Sequence, residues 1–142
     1  MAIASILKDK GGAIIAASPS QTVAEVVALL CAHRIGAVLV MEDGEVAGVL
    51  SERDVVRGLN EQGAAILQRT AREIMTADVI TVAPSESVTT ALSRMTRRRI
   101  RHLPVLEGGE VRGVVSIGDL VKARIDEAVR EAESLKDYIA HA

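Results

Sequence analysis

The chain has 142 residues, of which 49% are hydrophobic, but it contains one tyrosine and no phenylalanine or tryptophan, so its core must be aliphatic. With 25% charged residues and a net charge of −2, the composition is typical of a soluble globular domain or of two small repeats sharing a core. Because single-stranded nucleic acids are bound by aromatic stacking and positive charge, this composition argues against that class of function.

The sequence shows no signal for membrane insertion or export. No apolar run approaches the roughly 20 residues that span a bilayer, and the N-terminus does not resemble a signal peptide. Cys31 is the single cysteine and has no partner for a disulfide within the chain. These features predict a cytoplasmic protein in a reducing compartment, without membrane association.

An internal duplication organises the chain. Residues 13–59 align with residues 78–124 without a gap at an offset of 65, and about a third of the aligned positions are identical. The strongest stretch matches 42–51 to 107–116. Because a unit of about 50 residues buries little surface alone, we expect the two repeats to pack sheet to sheet with pseudo-twofold symmetry.

Each repeat is predicted to have the order strand, helix, strand, strand, helix. The first strand lies around Ile15 or Ile80 and is followed by a proline and a helix. Thr22 and Glu25 form a capping box at the start of this helix in the first repeat, and Ser87 is the cap in the second. The apolar stripes of these helices are Val23, Val26, Val27 and Leu30, and Val88, Ala91, Leu92 and Met95.

The middle strands of each repeat are predicted to form a hairpin. Strands 37–41 and 46–50 flank Asp43-Gly44, a pair that favours a tight two-residue turn, and Gly108-Gly109 takes its place in the second repeat. The closing helix of each repeat is expected to begin at the serine that follows the hairpin, Ser51 or Ser116.

The predicted fold class is α/β (α+β), with two β-α-β-β-α repeats, an N-terminal segment and an extended C-terminal helix. Helix is expected from Ala65 to Met75 within the connector. The predicted boundaries are an N-terminal segment 1–12, a first repeat 13–60, a connector 61–77, a second repeat 78–125 and a tail 126–142.

The C-terminal helix carries more apolar surface than its counterpart in the first repeat. This surplus face needs a partner, either the N-terminal segment 3–7 or a second subunit. Its apolar residues are Val121, Ile125, Val129, Leu135 and Ile139.

No catalytic constellation is recognisable. Cys31 lies in the middle of a buried helical stripe and is predicted to be packed in the core. Ser116 lacks the Gly-x-Ser-x-Gly spacing of a nucleophile elbow. The histidines His33, His102 and His141 are not spaced as metal ligands on one helix face. We therefore expect a protein that is not an enzyme and has no metal site.

The repeated Ser-x-x-Asp motif has two interpretations that remain open. Ser51 and Asp54, like Ser116 and Asp119, would cap a helix with no ligand present. Alternatively, the helix N-terminus offers free N–H groups, and the carboxylate accepts hydrogen bonds from the vicinal hydroxyls of a ribose. Gly118 would let a ligand approach the backbone closely in the second repeat.

A run of arginines ends the first helix of the second repeat. Arg97–Arg99 are expected to be solvated, whereas Arg101 and His102 immediately precede a strand and suit a phosphate. The matching positions of the first repeat are Gly36 and Ala37, so one site is expected to be cationic and the other neutral. Nucleic-acid binding by this run is the weakest alternative because the chain as a whole is acidic.

These residues resemble a tandem pair of CBS domains, a Bateman module, and in particular the small stand-alone bacterial proteins made of one such pair. The resemblance covers nearly the whole chain. Its most specific motifs are the sequences at 35–40, 48–54, 72–76, 101–105 and 113–119.

The resemblance implies an adenine-nucleotide sensor that binds AMP, ADP, ATP, NAD or S-adenosylmethionine in two clefts between the repeats, forms a homodimer and acts on an unspecified effector protein. In one cleft, Ser51 and Asp54 are expected to hold the ribose, while Arg101 and His102 face the phosphates. Arg53, replaced by Gly118 in the second repeat, would add phosphate charge.

In the second cleft, the resemblance implies that Ser116 and Asp119 hold the ribose against the backbone of Gly36 and Ala37, where the lack of charge favours a mononucleotide or dinucleotide over ATP. The first strands, around Ile15 and Ile80, would line the adenine slots. Lys10 and Gly11 are similar to a Lys-Gly pair found before the first strand in close relatives. The alternative function is a structural or protein-interaction module without a nucleotide.

Overall fold

Each predicted repeat forms a small sheet with helices. The computed structural model describes residues 1–11 and 13–141. The elements of the first half are α1 (Ile3–Lys10), β1 (Ala16–Ala17), α2 (Val23–His33), β2 (Ala37–Glu42), β3 (Glu45–Ser51) and α3 (Glu52–Gln62). The remaining elements are a 3₁₀ helix (Gly63–Gln68), α4 (Ala71–Ile74), α5 (Val88–Arg98), β4 (His102–Glu107), β5 (Glu110–Ser116) and α6 (Ile117–Ala140).

The chain divides into two units whose membership does not follow the order of the sequence. The repeat-1 unit contains Ala13–Ile80 and Gly109–Val111, and the repeat-2 unit contains the described residues of Met1–Gly12, Thr81–Gly108 and Arg112–Ala142. Helix α1 therefore belongs with the second repeat, and the connector belongs with the first. The mixed α/β class with two repeats is confirmed.

The hairpins form as predicted. In the repeat-1 unit, β2 and β3 pair in antiparallel fashion, with Ala37 opposite Ser51. The turn residues Asp43 and Gly44 have φ angles of 53° and 79°, as a two-residue hairpin turn with positive φ at both positions requires. This pairing places the start of β2 beside the end of β3, where helix α3 begins.

The first strand of each repeat is shorter than expected. In the first repeat it is reduced to Ala16–Ala17, parallel to β2. In the second repeat it is a single parallel bridge between Val82 and Val105. Val82 donates to the Pro104 carbonyl at 3.0 Å, but Pro104 has no N–H with which to extend the ladder towards Ile80.

Local capping signals determine where the helices begin. The Thr22–Glu25 capping box is present at α2, and the Ser87 hydroxyl accepts a hydrogen bond from the Thr90 N–H at α5. Both predicted apolar stripes pack inward. Their buried members are Val23, Val26, Leu30, Val88, Ala91 and Met95.

The expected continuous connector helix from Ala65 to Met75 is wrong. A 3₁₀ helix containing the buried Ile66 ends at Gln68, and α4 starts separately after Thr70. Thr70 and Glu73 form a capping box, which begins a new helix instead of continuing the old one.

Helix α1 is anchored in the repeat-2 unit. The side chains of Ile3 and Ile6 are buried. The Ile3 N–H donates to the Glu86 carbonyl at 2.9 Å, and the Val88 N–H donates to the Met1 carbonyl at 3.0 Å. These contacts fix the direction of α1 and hence the position of Lys10 at its C-terminal end.

Helix α6 has 24 residues, against 11 in α3, as the longer tail predicted. Its first turns pack through the buried Leu120 and Ala123. Helix α1 does not cover the remaining apolar face, so the N-terminal segment is not the partner that the sequence allowed. The exposed residues of this face include Val121, Ile125, Val129, Leu135, Tyr138 and Ile139. Among the described helices, none is long and apolar enough to cross a membrane.

Candidate functional site

The Ser-x-x-Asp motif of the first repeat lies where β3 ends and α3 begins. The Ser51 N–H and hydroxyl donate to Asp54 Oδ2 at 2.9 and 3.1 Å, and the Asp54 N–H donates to Ser51 Oγ at 3.3 Å. The first N–H of α3, from Glu52, donates to the Gly36 carbonyl at 2.9 Å. The capping interpretation of this motif is therefore correct, whatever else the carboxylate binds.

The other oxygen of Asp54 is also occupied. Thr76 Oγ1 donates to Asp54 Oδ1 at 3.3 Å, and Arg57 Nη1 approaches the same oxygen to 3.4 Å. Thr76 is held in place because it exchanges backbone hydrogen bonds of 2.9 and 3.0 Å with Val49. Asp54 is only 7% exposed, so these donors satisfy a charge that burial would otherwise penalise.

The second repeat reproduces the main-chain contacts of this junction, but the side-chain partners of its aspartate differ. The Ser116 N–H donates to Asp119 Oδ2 at 2.8 Å, and the Asp119 N–H donates to Ser116 Oγ at 3.2 Å. The Ile117 N–H donates to the Arg101 carbonyl at 2.8 Å, as Glu52 does to Gly36. The new partner is Lys10, whose Nζ donates to Asp119 Oδ2 at 2.8 Å.

The Lys10 ammonium changes the acidity of Asp119. Burial alone would raise the pKa of this carboxyl group, but the hydrogen bond from Lys10 and that from the Ser116 N–H together lower the pKa below its ordinary value of 3.8. Asp119 is therefore ionised at neutral pH and can accept hydrogen bonds from a ligand.

Sequence reasoning missed the contacts of Thr76 and of Lys10 with these aspartates. Extending the offset of 65 upstream of the aligned repeats pairs Lys10 with Met75 and Gly11 with Thr76. The segment before each first strand therefore contacts the aspartate of the unit in which it packs. Extending the alignment in this way would have indicated both segments from the sequence.

The remaining predicted residues of the first repeat lie in the repeat-1 unit. Gly36 and Ala37 begin β2 beside Ser51, and Arg53 is exposed in the first turn of α3. Ile15 is half-buried beside β1. Ile80, predicted as part of the second repeat, is also half-buried and lies in the repeat-1 unit.

The predicted residues of the second repeat lie in the repeat-2 unit. Arg101 is exposed just before β4, and His102 is the half-buried first residue of β4. A Cβ atom at Gly118 would meet only Ser116 Oγ, at an ordinary 3.6 Å. The fold therefore does not require glycine at position 118, and close ligand approach stays a prediction there.

The arginine run separates into two kinds. Arg97–Arg99 are exposed at the end of α5, as predicted. Arg94 instead forms a bidentate pair with Glu86, at 2.8 and 3.0 Å, and donates to the Thr81 carbonyl. The hydrogen bonds from Arg94 and from the Ala83 N–H lower the pKa of Glu86. Arg94 thus stabilises the start of the second repeat.

The prediction that Cys31 is buried is wrong. Cys31 follows Leu30 by one residue, which rotates its side chain out of the α2 stripe, and it is exposed. It lines an open, mostly apolar groove of about 530 Å³ in the repeat-1 unit. The other lining residues are Val27, Leu30, Arg34, Ile35, Gly36, Glu52, Val55 and Val56.

Chemically, each junction offers a carboxylate held by a main-chain N–H, with hydroxyl donors added at Asp54 and the Lys10 ammonium at Asp119. Such a carboxylate suits binding and orienting of hydroxyl groups. Within 1–11 and 13–141, no cluster of three or more His, Cys, Asp or Glu residues has a geometry that would hold a metal ion.

Comparison with known proteins gives the same two repeats. The model of the CBS domain family matches residues 12–61 and 71–126. A mitochondrial CBS-domain-containing protein of Arabidopsis thaliana is 36% identical over 146 aligned positions, covering 96% of this chain and 71% of that protein.

Two solved structures illustrate the similarity. A CBS-domain-containing protein from Agrobacterium tumefaciens has a TM-score of 0.85 and 38% identity, with 87% of this chain and 99% of that one covered. A CBS domain protein from Pyrobaculum aerophilum, solved in complex with AMP, has a TM-score of 0.74 and 28% identity, covering 84% and 89%. The chain therefore belongs to the CBS-domain family and is a tandem CBS pair.

Proposed function

We propose that the protein is a regulatory sensor of adenine nucleotides, taking AMP, ADP, ATP or NAD at the carboxylates Asp54 and Asp119. The observation that carries this proposal is the duplicated strand-to-helix junction, in which an aspartate is held beside a helix N-terminus in both repeats. The AMP complex of the Pyrobaculum relative supports an adenosine-type ligand. Such a protein regulates through binding and not through a reaction.

The two repeats differ in charge at the start of their second strand. Arg101 provides a cationic group and His102 an imidazole N–H, both suited to phosphate, whereas the side chains of Gly36 and Ala37 provide neither. We therefore propose that phosphate recognition depends on Arg101 and His102, and that the site served by Gly36 and Ala37 takes a ligand with fewer phosphates.

Calorimetric titration with AMP, ATP and NAD tests this function. We expect saturable binding that weakens at least tenfold in an Asp54→Asn, Asp119→Asn double variant, because a charged acceptor for ribose hydroxyls is lost. The matched control is Asp126→Asn, which removes an exposed carboxylate of α6 and should leave binding unchanged. Absence of binding by the wild-type protein, or equal affinities of wild-type and double variant, would refute the proposal.

The alternative function is a structural or protein-interaction module. It is favoured by Asp54, whose two oxygens already have four donors from its own unit. A melting scan separates the two functions, since a specific ligand at 100 times its Kd adds about 2.7 kcal/mol to the free energy of unfolding. An unchanged Tm with every nucleotide would favour the module.

We also propose that the protein acts as a homodimer in the cytoplasm and that a second copy covers the exposed face of α6. Apolar or alanine residues recur there at alternating steps of three and four, the pattern of a two-helix seam. In a parallel pair, Glu131 of each copy would face Lys136 of the other, whereas an antiparallel pair would oppose Lys122 to Lys136. The seam residues are Ile125, Ala128, Ala132, Leu135 and Ile139.

A further inference from the structure

Lys10 offers an unused hydrogen-bond donor at the second junction. Its Nζ donates to Asp119 Oδ2 at 2.8 Å and to the Val114 carbonyl at 2.9 Å. An ammonium group has three N–H donors, so one remains after these two contacts within the described residues. The Lys10 side chain is 43% exposed.

Asp119 offers an unused acceptor beside that donor. Its Oδ2 accepts from both Lys10 and the Ser116 N–H, whereas its Oδ1 accepts from no group in the described parts of the chain. The Asp119 side chain is 26% exposed. One ion pair therefore combines a carboxylate oxygen that has no donor among the described residues with an ammonium group that has a spare N–H, and both side chains are partly exposed.

Asp54 does not share this arrangement. Both of its oxygens have donors, and the group that reaches it from the segment before a first strand is the neutral hydroxyl of Thr76. Arg57, at 3.4 Å, is the charged neighbour of Asp54 and comes from its own helix. A charged donor from the segment before a first strand is thus found, among the described residues, at Asp119 and not at Asp54. The two carboxylates should differ in how they bind a ligand, although their motifs are the same.

We propose that Lys10 and Asp119 together bind the vicinal hydroxyls of a ribose. One hydroxyl donates to Asp119 Oδ1, and its neighbour accepts from the third N–H of Lys10 Nζ, so no existing hydrogen bond has to break. This assignment rests on the proposed function and adds to it a residue that selects ribose over deoxyribose. Helix α1, anchored by Ile3 and Ile6, presents the ammonium at this position.

The test measures affinities for adenosine, 2′-deoxyadenosine and 3′-deoxyadenosine by calorimetry. These ligands carry no phosphate, so contacts to phosphate do not contribute. All variants carry Asp54→Asn, which removes the carboxylate of the first junction. We expect adenosine to bind about tenfold or more tightly than either deoxy analogue, as loss of one charge-assisted hydrogen bond implies.

In this background, Lys10→Met should weaken adenosine binding about tenfold and reduce the preference for adenosine over the deoxy analogues. Lys10→Arg, which keeps the charge and donors, should retain most of the affinity and most of the preference. The matched control is Lys8→Met, which removes an exposed lysine of the same helix and should change neither quantity. If Lys10→Met folds poorly, Lys10→Arg is compared with Lys10→Gln, which lacks the charge, and this comparison replaces the test with methionine.

Two results would overturn the assignment of Lys10. The first is unchanged adenosine affinity and selectivity in Lys10→Met, although Asp119→Asn abolishes binding. The second is tighter binding in Lys10→Met, which would show that the lysine competes with the ligand for Asp119. By contrast, if no adenosine ligand binds to the wild-type protein or to Lys8→Met, the proposed function itself fails along with the assignment.

Discussion

At the scale of single residues, the Lys10–Asp119 ion pair makes stability depend on pH. Because the folded-state pKa of Asp119 lies below 3.8, its contribution is complete above that value and is lost as pH falls through the lower folded pKa. We expect Lys10→Met to lower the free energy of unfolding by on the order of 0.5 kcal/mol at pH 7, since the pair is partly exposed.

That difference between wild-type and Lys10→Met should shrink below about pH 4, as Asp119 becomes protonated in both proteins. Urea unfolding from pH 3 to 8 measures it, with Lys8→Met as the control. A difference that is constant over the whole range would contradict this role for the pair.

Gly48 permits the contact between Thr76 and Asp54. A Cβ atom at Gly48 would lie 2.5 Å from Met75 Sδ and 2.9 Å from the Thr76 carbonyl oxygen. We expect Gly48→Ala to lower the free energy of unfolding by about 1–3 kcal/mol, because the backbone at Thr76 must move. Chemical denaturation measures the change.

The comparison variant for Gly48→Ala is Gly118→Ala, whose Cβ would have only an ordinary contact. Its stability should be unchanged or slightly higher, since alanine favours the helix. Equal effects of the two alanines would show that the space at Gly48 is not limiting.

At the scale of elements, local signals in the sequence predicted the caps, the hairpin turns and the apolar stripes, because each depends on residues a few positions apart. The sequence-based predictions were wrong where other factors decided the structure. Pro104, on β4, truncates a strand that precedes it by some 20 residues. Cys31 lies one residue beyond its stripe, where a shift of 100° decides between core and surface.

The candidate site depends both on local sequence signals and on tertiary packing. The repeated motif located Asp54 and Asp119 without a structure, since the spacing itself determines the cap. The donors from Thr76 and Lys10 come from segments outside the aligned repeats, and their contacts depend on how α4 and α1 pack. Tertiary packing therefore supplies the difference between two carboxylates whose local sequences are alike.

Helix α6 is the element whose exposed apolar face we expect to join two copies. Leu135 and Ile139 are 60% and 66% exposed, so replacing either by glutamate should not disturb the fold but should place charge in the seam. We expect at least a tenfold increase in the dimer Kd, measured by sedimentation equilibrium. Arg130→Glu, on the opposite face, is the control. Monomeric wild-type protein at high concentration, or equal effects of all three variants, would contradict this interface.

At the scale of the whole molecule, the crossed membership of the two units predicts where a truncation acts. Deleting residues 1–11 removes α1, which precedes the first repeat but packs in the repeat-2 unit. We expect hydrogen exchange to accelerate in α5 and the first turns of α6, with a loss of at least about 2 kcal/mol, because the buried Ile3 is removed.

Peptides from α2, β2 and β3 of the truncated protein provide the internal control, and their exchange should change little. Faster exchange confined to the first repeat would contradict the assignment of α1 to the repeat-2 unit.

The placement of α1 also affects how the protein is made. Ribosomes add about 5–20 residues per second, so roughly 5–20 s pass between the synthesis of α1 and that of the residues after Ser116. Throughout this interval the surface on which Ile3 and Ile6 dock is incomplete. Helix α1 is thus synthesised well before the surface on which it docks is complete, so the apolar side chains of Ile3 and Ile6 stay exposed until the second repeat is finished.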